Sequence, residues 1–388
     1  MKWTLNGNAV GDLEYAYDAD GRVIQKTGSL ASAQLPSPVS GNTFNADNEM
    51  TAFNGATLTY DADGNLTSDG TNSYLWDTRG HLSTLAGTNV AAYQYDAFGR
   101  RVQTTLNGVM TQYLYDGVNA VAEMDGATPP NPTATMLTGL DIDEYFQRAD
   151  SSGTLSYLTD MLGSTVALAD SSGAVDTTYA YDPFGNVTVN GADTNPYQFT
   201  GRENDGTGLY YYRARYYSPT FQRFVSQDPI GFATGDTNLY RYALDAPTIA
   251  NDPLGLLTFS LGFSVNLQLW LFNVSASVGI VADTCGNVGS YNTGGLGTGV
   301  GAEGNGGITF GYSNAPTIAD LAGPFANTEL GAGAGAGGSF GIFTGGSPDG
   351  QVTGGSLTIG VGGGAGGSVG LTGTRITQFN SSSPCSCK

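Results

Sequence analysis

A short unit recurs along the first half of the chain, and it leaves little choice of fold. Tyr17-Asp18-Ala19-Asp20-Gly21-Arg22 is followed by Tyr60-Asp61-Ala62-Asp63-Gly64-Asn65, Tyr95-Asp96-Ala97-Phe98-Gly99-Arg100 and Tyr181-Asp182-Pro183-Phe184-Gly185-Asn186. Trp76-Asp77-Thr78-Arg79-Gly80 is a variant of the unit and Tyr115-Asp116-Gly117 a shortened copy. The Asp carboxylate caps backbone N–H groups of a turn, and the Gly takes the positive φ that other residues avoid. Alternating residues on either side, such as Leu58, Tyr60 and Leu66, supply the pleat. Each unit therefore reads as a β-hairpin, marginal alone and stable when stacked on its neighbours.

The rest of the composition agrees. Of 388 residues, 59 are Gly and 22 Tyr, while long helical runs of Leu, Glu, Lys and Ala are nearly absent, so the chain reads as mainly β. Acidic residues outnumber basic ones 34 to 14, and a net charge of −20 repels polyanions. A nucleic-acid partner is not expected. The three cysteines, Cys285, Cys385 and Cys387, lie in the last third, so no disulfide holds the first two thirds together. Cys385-Ser-Cys387 is too tight for a zinc knuckle and has no His nearby, and neither a metal nor a cofactor is expected. The start, Met1-Lys2-Trp3-Thr4, lacks the apolar core of a signal peptide, and no run of about 18 apolar residues marks a membrane helix.

Two Asp-Pro-x-Gly elements follow the repeats: Asp228-Pro229-Ile230-Gly231 and Asp252-Pro253-Leu254-Gly255. The second closes a longer pattern, Pro247-x-x-x-x-Asp252-Pro253-x-Gly255-Leu256, and the composition changes immediately after it. The hairpin units and this ending resemble those of Rhs (YD-repeat) proteins, with teneurins and Tc-toxin C proteins sharing the repeats. Asp160-Met161-Leu162-Gly163-Ser164 is similar to the step that opens the family's core module, and Gln198 to Glu203 with Gly208 to Tyr217 to its aromatic centre. The resemblance implies a β-ribbon that spirals into a partial shell, cut from a variable C-terminal effector. It divides the chain into YD repeats over 1–156, a core module over 157–256 and an effector over 257–388.

The resemblance also implies an aspartyl-type autoprotease. Asp228 and Asp252 are the catalytic pair, and the bond between Leu256 and Leu257 is cut. Chemically, one carboxyl activates water while the other polarises or protonates the carbonyl. Arg223, in the Arg-Phe step that precedes the first Asp, is expected as charge partner. Pro229 and Pro253 fix φ beside each Asp, and Gly231 and Gly255 allow tight turns. Singly, each element is also ordinary turn chemistry. Asp236 and Asp245 are near enough in sequence to be rivals. Further expectations from the resemblance are an immunity protein, a secretion-machine component, export without a classical signal peptide and action against rival cells.

Arg213 and Arg215 are expected on one face of a tyrosine-rich strand over 210–217, paired with scaffold carboxylates. The tail after Leu256 carries Arg375 and Lys388 as its only bases. Phe259, Leu261, Phe263, Val265 and Leu267 alternate with Ser260, Gly262, Ser264, Asn266 and Gln268. After Phe272 the phase flips to Val274, Ala276, Val278 and Ile280, as in a hairpin or a bulged strand. Apolar and small polar residues alternate as in lipid-facing barrel strands. Residues 317–330 read as a short helix or plug loop. Gly337-Gly338-Ser339-Phe340-Gly341 and Gly366-Gly367-Ser368-Val369-Gly370 mimic a nucleophile elbow, but the tail has no histidine to act as base, and no enzymatic activity is expected of it. Two readings stay open: a β-structured toxin that perturbs target-cell membranes, and a soluble β-rich binding domain carried by the scaffold.

Overall fold

The computed structural model describes the chain apart from residues 6, 19–22, 33, 140–141, 230, 232–236, 249–250, 253–254, 256–257, 270–271, 283–287, 314–320, 348–349 and 379–388. Two compact units result: Met1–Asp228 with Asn238–Gly255, and Pro229–Thr237 with Leu256–Lys388.

The first unit is built on a 14-stranded sheet in which every strand pairs with its sequence neighbours, from Thr59–Tyr60 to Val187–Asn190. Such a ribbon is what serial hairpins produce, and the reason is visible at each turn. Asp96 Oδ1 accepts the N–H groups of Phe98 and Arg100, at 2.9 and 3.0 Å, and Gly99 adopts φ 81°. Asp61, Asp77 and Asp182 repeat the arrangement. So do Asp160 and Asp170, two turns that the aromatic-Asp spelling of the unit does not reveal. His81 belongs to one of these turns, its Nδ1 3.0 Å from Asp77 and its ring stacked on Tyr95.

The ribbon buries its apolar face on a four-stranded sheet comprising Glu203–Asn204, Tyr210–Tyr212, Arg215–Ser218 and Arg223–Phe224. Tyr211 and Tyr216 pack with Leu66, Leu82 and Tyr93 on one side, while Tyr210, Tyr212 and Tyr217 pack with Phe199, Phe224 and Tyr242 on the other. Tyrosine therefore fills both faces, and burial pushes the Tyr211 phenol up to about 12. The element is a hairpin rather than one strand. It turns at Arg213, which has φ 58°, so Arg213 and Arg215 do not share a strand face.

The second unit is a glycine-rich barrel. Thr258–Leu269 and Phe272–Ala282 form an antiparallel hairpin, as the phase flip implies. Val288–Ser313 pairs with the second of these strands through Gly297, and with the first from Ala302 onward. Because those two strands are antiparallel neighbours, the 26-residue strand must double back between its halves. Gly350–Gln378 follows it along the whole bend and Gly323–Ser347 follows that in turn. The two halves of Gly323–Ser347 then meet, Gly341 against the Thr328 carbonyl and Gly345 against that of Pro324. Two strands and three doubled ones thus close a barrel of 8 segments.

Glycine makes the bend feasible: Gly297 and Gly370 face each other, and a Cβ on either would lie 2.6 Å from a carbonyl oxygen of the opposite strand. The elbow-like glycine motifs lie in these strands. Residues 323–330 are strand, not helix or plug loop, because their alternation continues the barrel; 317–320 lie outside the described residues.

Candidate functional site

The two Asp-Pro-x-Gly aspartates come together in the first unit on one side chain, Arg215. Its guanidinium carbon lies over the Phe224 ring, 3.7 Å from the centroid. Nη2 is 3.0 Å from Asp228 Oδ2 and 3.4 Å from Asp252 Oδ2, so the two carboxylate oxygens are separated by no more than the sum of those distances. Arg215 and Asp252 are buried and Asp228 nearly so. A cation between two carboxylates offsets the like-charge repulsion that otherwise drives proton sharing.

The same guanidinium also donates to two backbone carbonyls. Nε donates to the Gly255 carbonyl at 2.7 Å and Nη1 to that of Leu239 at 3.2 Å, and the Asp228 N–H also donates to Leu239. Gly255 donates to the Asp252 carbonyl at 3.1 Å, closing the second turn with φ 65°. A Cβ there would meet the Tyr212 carbonyl at 2.6 Å, so this position demands glycine twice over. Pro247 is buried, Pro229 is exposed and Gly231 has φ 61°. Pro253, Leu256 and Leu257, and with them the expected cleavage point, lie outside the described residues.

Arg223 does not hold the place expected of it. It donates to the Asn48 carbonyl and to Asn238 Oδ1, at 2.6 and 3.3 Å, and lies over Phe44 and Tyr240. Successive strand residues point to opposite faces, and Phe224 is the one that carries Arg215. Arg223 therefore faces away, and Arg215 takes the charge-partner position. Of the rival acids, Asp245 is 72% exposed and paired with Arg241, while Asp236 lies outside the described residues.

Among the described residues three further buried ion clusters occur that no repeat spelling announces; two join the ribbon to the residues around the tyrosine hairpin, and the third, at Arg148, links strands within the ribbon. Arg101 is enclosed by Glu203 and by Asp205, the latter at 2.6 Å, and burial pushes the Asp205 carboxyl up although the guanidinium lies against it. Asp143 receives both Arg202 and Arg213, the latter at 2.6 Å; Arg148 joins Glu123 and Asp150. Arg213 and Arg215 thus find scaffold carboxylates, as expected of them. Among the described residues no group of three or more His, Cys, Asp or Glu is placed to hold a metal ion.

Residues 1–248 match the family of the teneurin YD-shell. The chain belongs to that family. The match takes in Asp228 and Arg215 and ends short of Asp252. Curated relatives of this YD-shell chain include the tRNA3(Ser)-specific nuclease WapA of Bacillus spizizenii, 34% identical over 257 residues that make up 63% of this chain and 11% of WapA. Toxin protein Tse5 of Pseudomonas aeruginosa is 30% identical over 228 residues, 50% of this chain and 17% of Tse5. Toxin subunit YenC1 of Yersinia entomophaga is 36% identical over 103 residues, 25% of this chain and 10% of that subunit. The YD-shell chain thus spans between 10% and 17% of the length of these relatives. Among solved structures, a TcdB2-TccC3-Cdc42 crystal structure overlaps 64% of this chain and 17% of its own, at 21% identity and a TM-score of 0.44.

Proposed function

We propose that this YD-shell chain is the terminal part of a polymorphic toxin, in which Asp228 and Asp252 cut the chain between Leu256 and Leu257 and release the C-terminal barrel. One observation carries the reading: Arg215 holds both aspartates and also the carbonyl of Gly255, one residue before the proposed cut. In this scheme one aspartate, as the carboxylate, takes a proton from the attacking water, the other, as the carboxylic acid, donates a hydrogen bond to the scissile carbonyl oxygen, and Arg215 positions both. The relatives named as toxins and nucleases support a scaffold of this class. An immunity protein, a secretion-machine component and export toward rival cells follow from the same scheme. Intact mass and N-terminal sequencing of the wild type beside Asp228→Asn and Asp252→Asn test it. Two fragments meeting at Leu257 are expected from the wild type only, and an uncut wild type ends the reading.

For the released barrel we propose action on a membrane. Its outer surface carries Phe263, Val265, Phe272, Leu296, Val300 and Leu371, all exposed, while Ser264, Asn266, Asn273 and Thr309 face inward. A soluble barrel buries its apolar face; a lipid-embedded one turns it outward. The hairpin strands are 12 and 11 residues long, enough to cross a bilayer when tilted. Among the described residues no helix is long and apolar enough to cross a membrane. Dye release from liposomes at micromolar protein is expected, and vesicles that stay sealed favour the other reading, a β-rich binding domain.

A further inference from the structure

We propose that the barrel lumen is a water-filled path for small cations, with Glu329 setting its selectivity; this rests on the membrane reading above. The lumen holds a cavity of about 160 Å³, room for about five waters. Its wall is lined by hydroxyls that bond to one another across strands: Ser264 to Thr358 at 2.9 Å, Thr309 to Thr358 at 2.9 Å and Thr293 to Thr374 at 2.8 Å. Such groups replace part of an ion's hydration without binding it tightly.

Among the described residues, Glu329 is the one charged side chain lining this cavity. It accepts a hydrogen bond from Asn266 Nδ2, whose Oδ1 accepts in turn from Asn273 at 2.7 Å, and both asparagines are buried. That relay fixes the carboxylate against the wall. Arg375, the base of the described barrel, is exposed on the outer side and does not compensate it. A carboxylate in a narrow passage through a low-dielectric wall attracts cations and repels anions.

One mouth is dry. Val281 and Tyr291 pack with Leu321 and Ile376, and Phe325 meets Phe343 edge-on at 5.6 Å. An apolar constriction of this kind gates by dewetting, so the path opens only when these side chains part.

The test uses the full chain added to planar bilayers of phosphatidylethanolamine and phosphatidylglycerol, with a KCl gradient across them. The reversal potential of the wild type gives the selectivity without any substitution. A preference for potassium over chloride on the order of tenfold is expected. It is expected to fall to near unity in Glu329→Gln and to survive in Glu329→Asp, while Phe343→Ala raises the time spent open. Conductance with anion preference, or with selectivity unchanged in Glu329→Gln, overturns the assignment of Glu329 and leaves the membrane reading standing. A wild type that produces no conductance at all, in bilayers where a known porin conducts, overturns both.

Discussion

Replacing Arg215 by Met removes one charge and leaves two carboxylates behind. The guanidinium is 3% exposed and Asp252 1%, so neither solvent nor salt screens what remains. Breaking a buried ion pair from one side costs about 3–5 kcal/mol, because the surviving charge has lost its partner. The Gly255 and Leu239 carbonyls also lose a donor, and Phe224 loses the cation on its face. About 4 kcal/mol is therefore the expected loss, and with a urea m-value of about 2–3 kcal/mol/M the scaffold midpoint falls by roughly 1.3–2 M. The informative comparison is the triple variant Arg215→Met, Asp228→Asn, Asp252→Asn. Removing the acids removes the uncompensated charge, so at least about half the loss is expected to return. Urea unfolding followed by the near-ultraviolet circular dichroism of the buried tyrosines measures both. A single variant within about 1 kcal/mol of the wild type, or a triple variant no more stable than the single, would refute the claim that this guanidinium joins the two aspartates.

Acid titration should weaken the scaffold in a defined direction. Burial alone would raise the Asp69 carboxyl, but hydrogen bonds from Tyr74, Asn72 and Thr71 outweigh it and hold it below the usual range; Ser172 and Ala174 do the same for Asp170. A carboxyl whose folded pKa is lowered stabilises the fold above its unfolded pKa, about 3.9, and that contribution is lost as pH falls through the folded value. Urea midpoints that do not fall between pH 6 and pH 3 would contradict this. Gly185→Ala is expected to cost more than Gly99→Ala in the same assay: both have positive φ, but a Cβ at 185 also meets the Phe199 ring at 2.6 Å, whereas at 99 the nearest neighbour is at 3.4 Å. Val278→Arg, on the outside of the barrel and 59% exposed, separates the two readings of the tail. A lipid-facing Arg costs about 2–4 kcal/mol, so dye release should drop at least tenfold while the fold in water is retained; unchanged release would argue that this face never meets lipid.

Much of the fold was legible because it is local. An Asp that caps two N–H groups and a Gly at positive φ lie within a few residues of each other, so the turns at Asp61, Asp96 and Asp182 are written where they occur. The same turns at Asp160 and Asp170 were less legible, since no aromatic residue precedes the Asp, yet the backbone needs only the carboxylate and the glycine. The alternation in the tail told which side chains share a face. It did not tell which face is inside, because that depends on how the strands of Gly323–Ser347 and Gly350–Gln378 double back and close.

At the candidate site the aspartates and their glycines could be named from the two Asp-Pro-x-Gly elements and the family resemblance they carry, but their cation could not. Arg223 is close to Asp228 in the chain and turns away from it, while Arg215 is farther back in the chain and touches it. Residue order determined the hairpins, the tyrosine-filled centre and the two acidic turns, since each depends on interactions spanning a handful of positions. Only the tertiary structure decided which arginine meets those acids and which side of the barrel carries the polar side chains, because a side chain's partner across a sheet is set by register and closure, and these are properties of many strands at once.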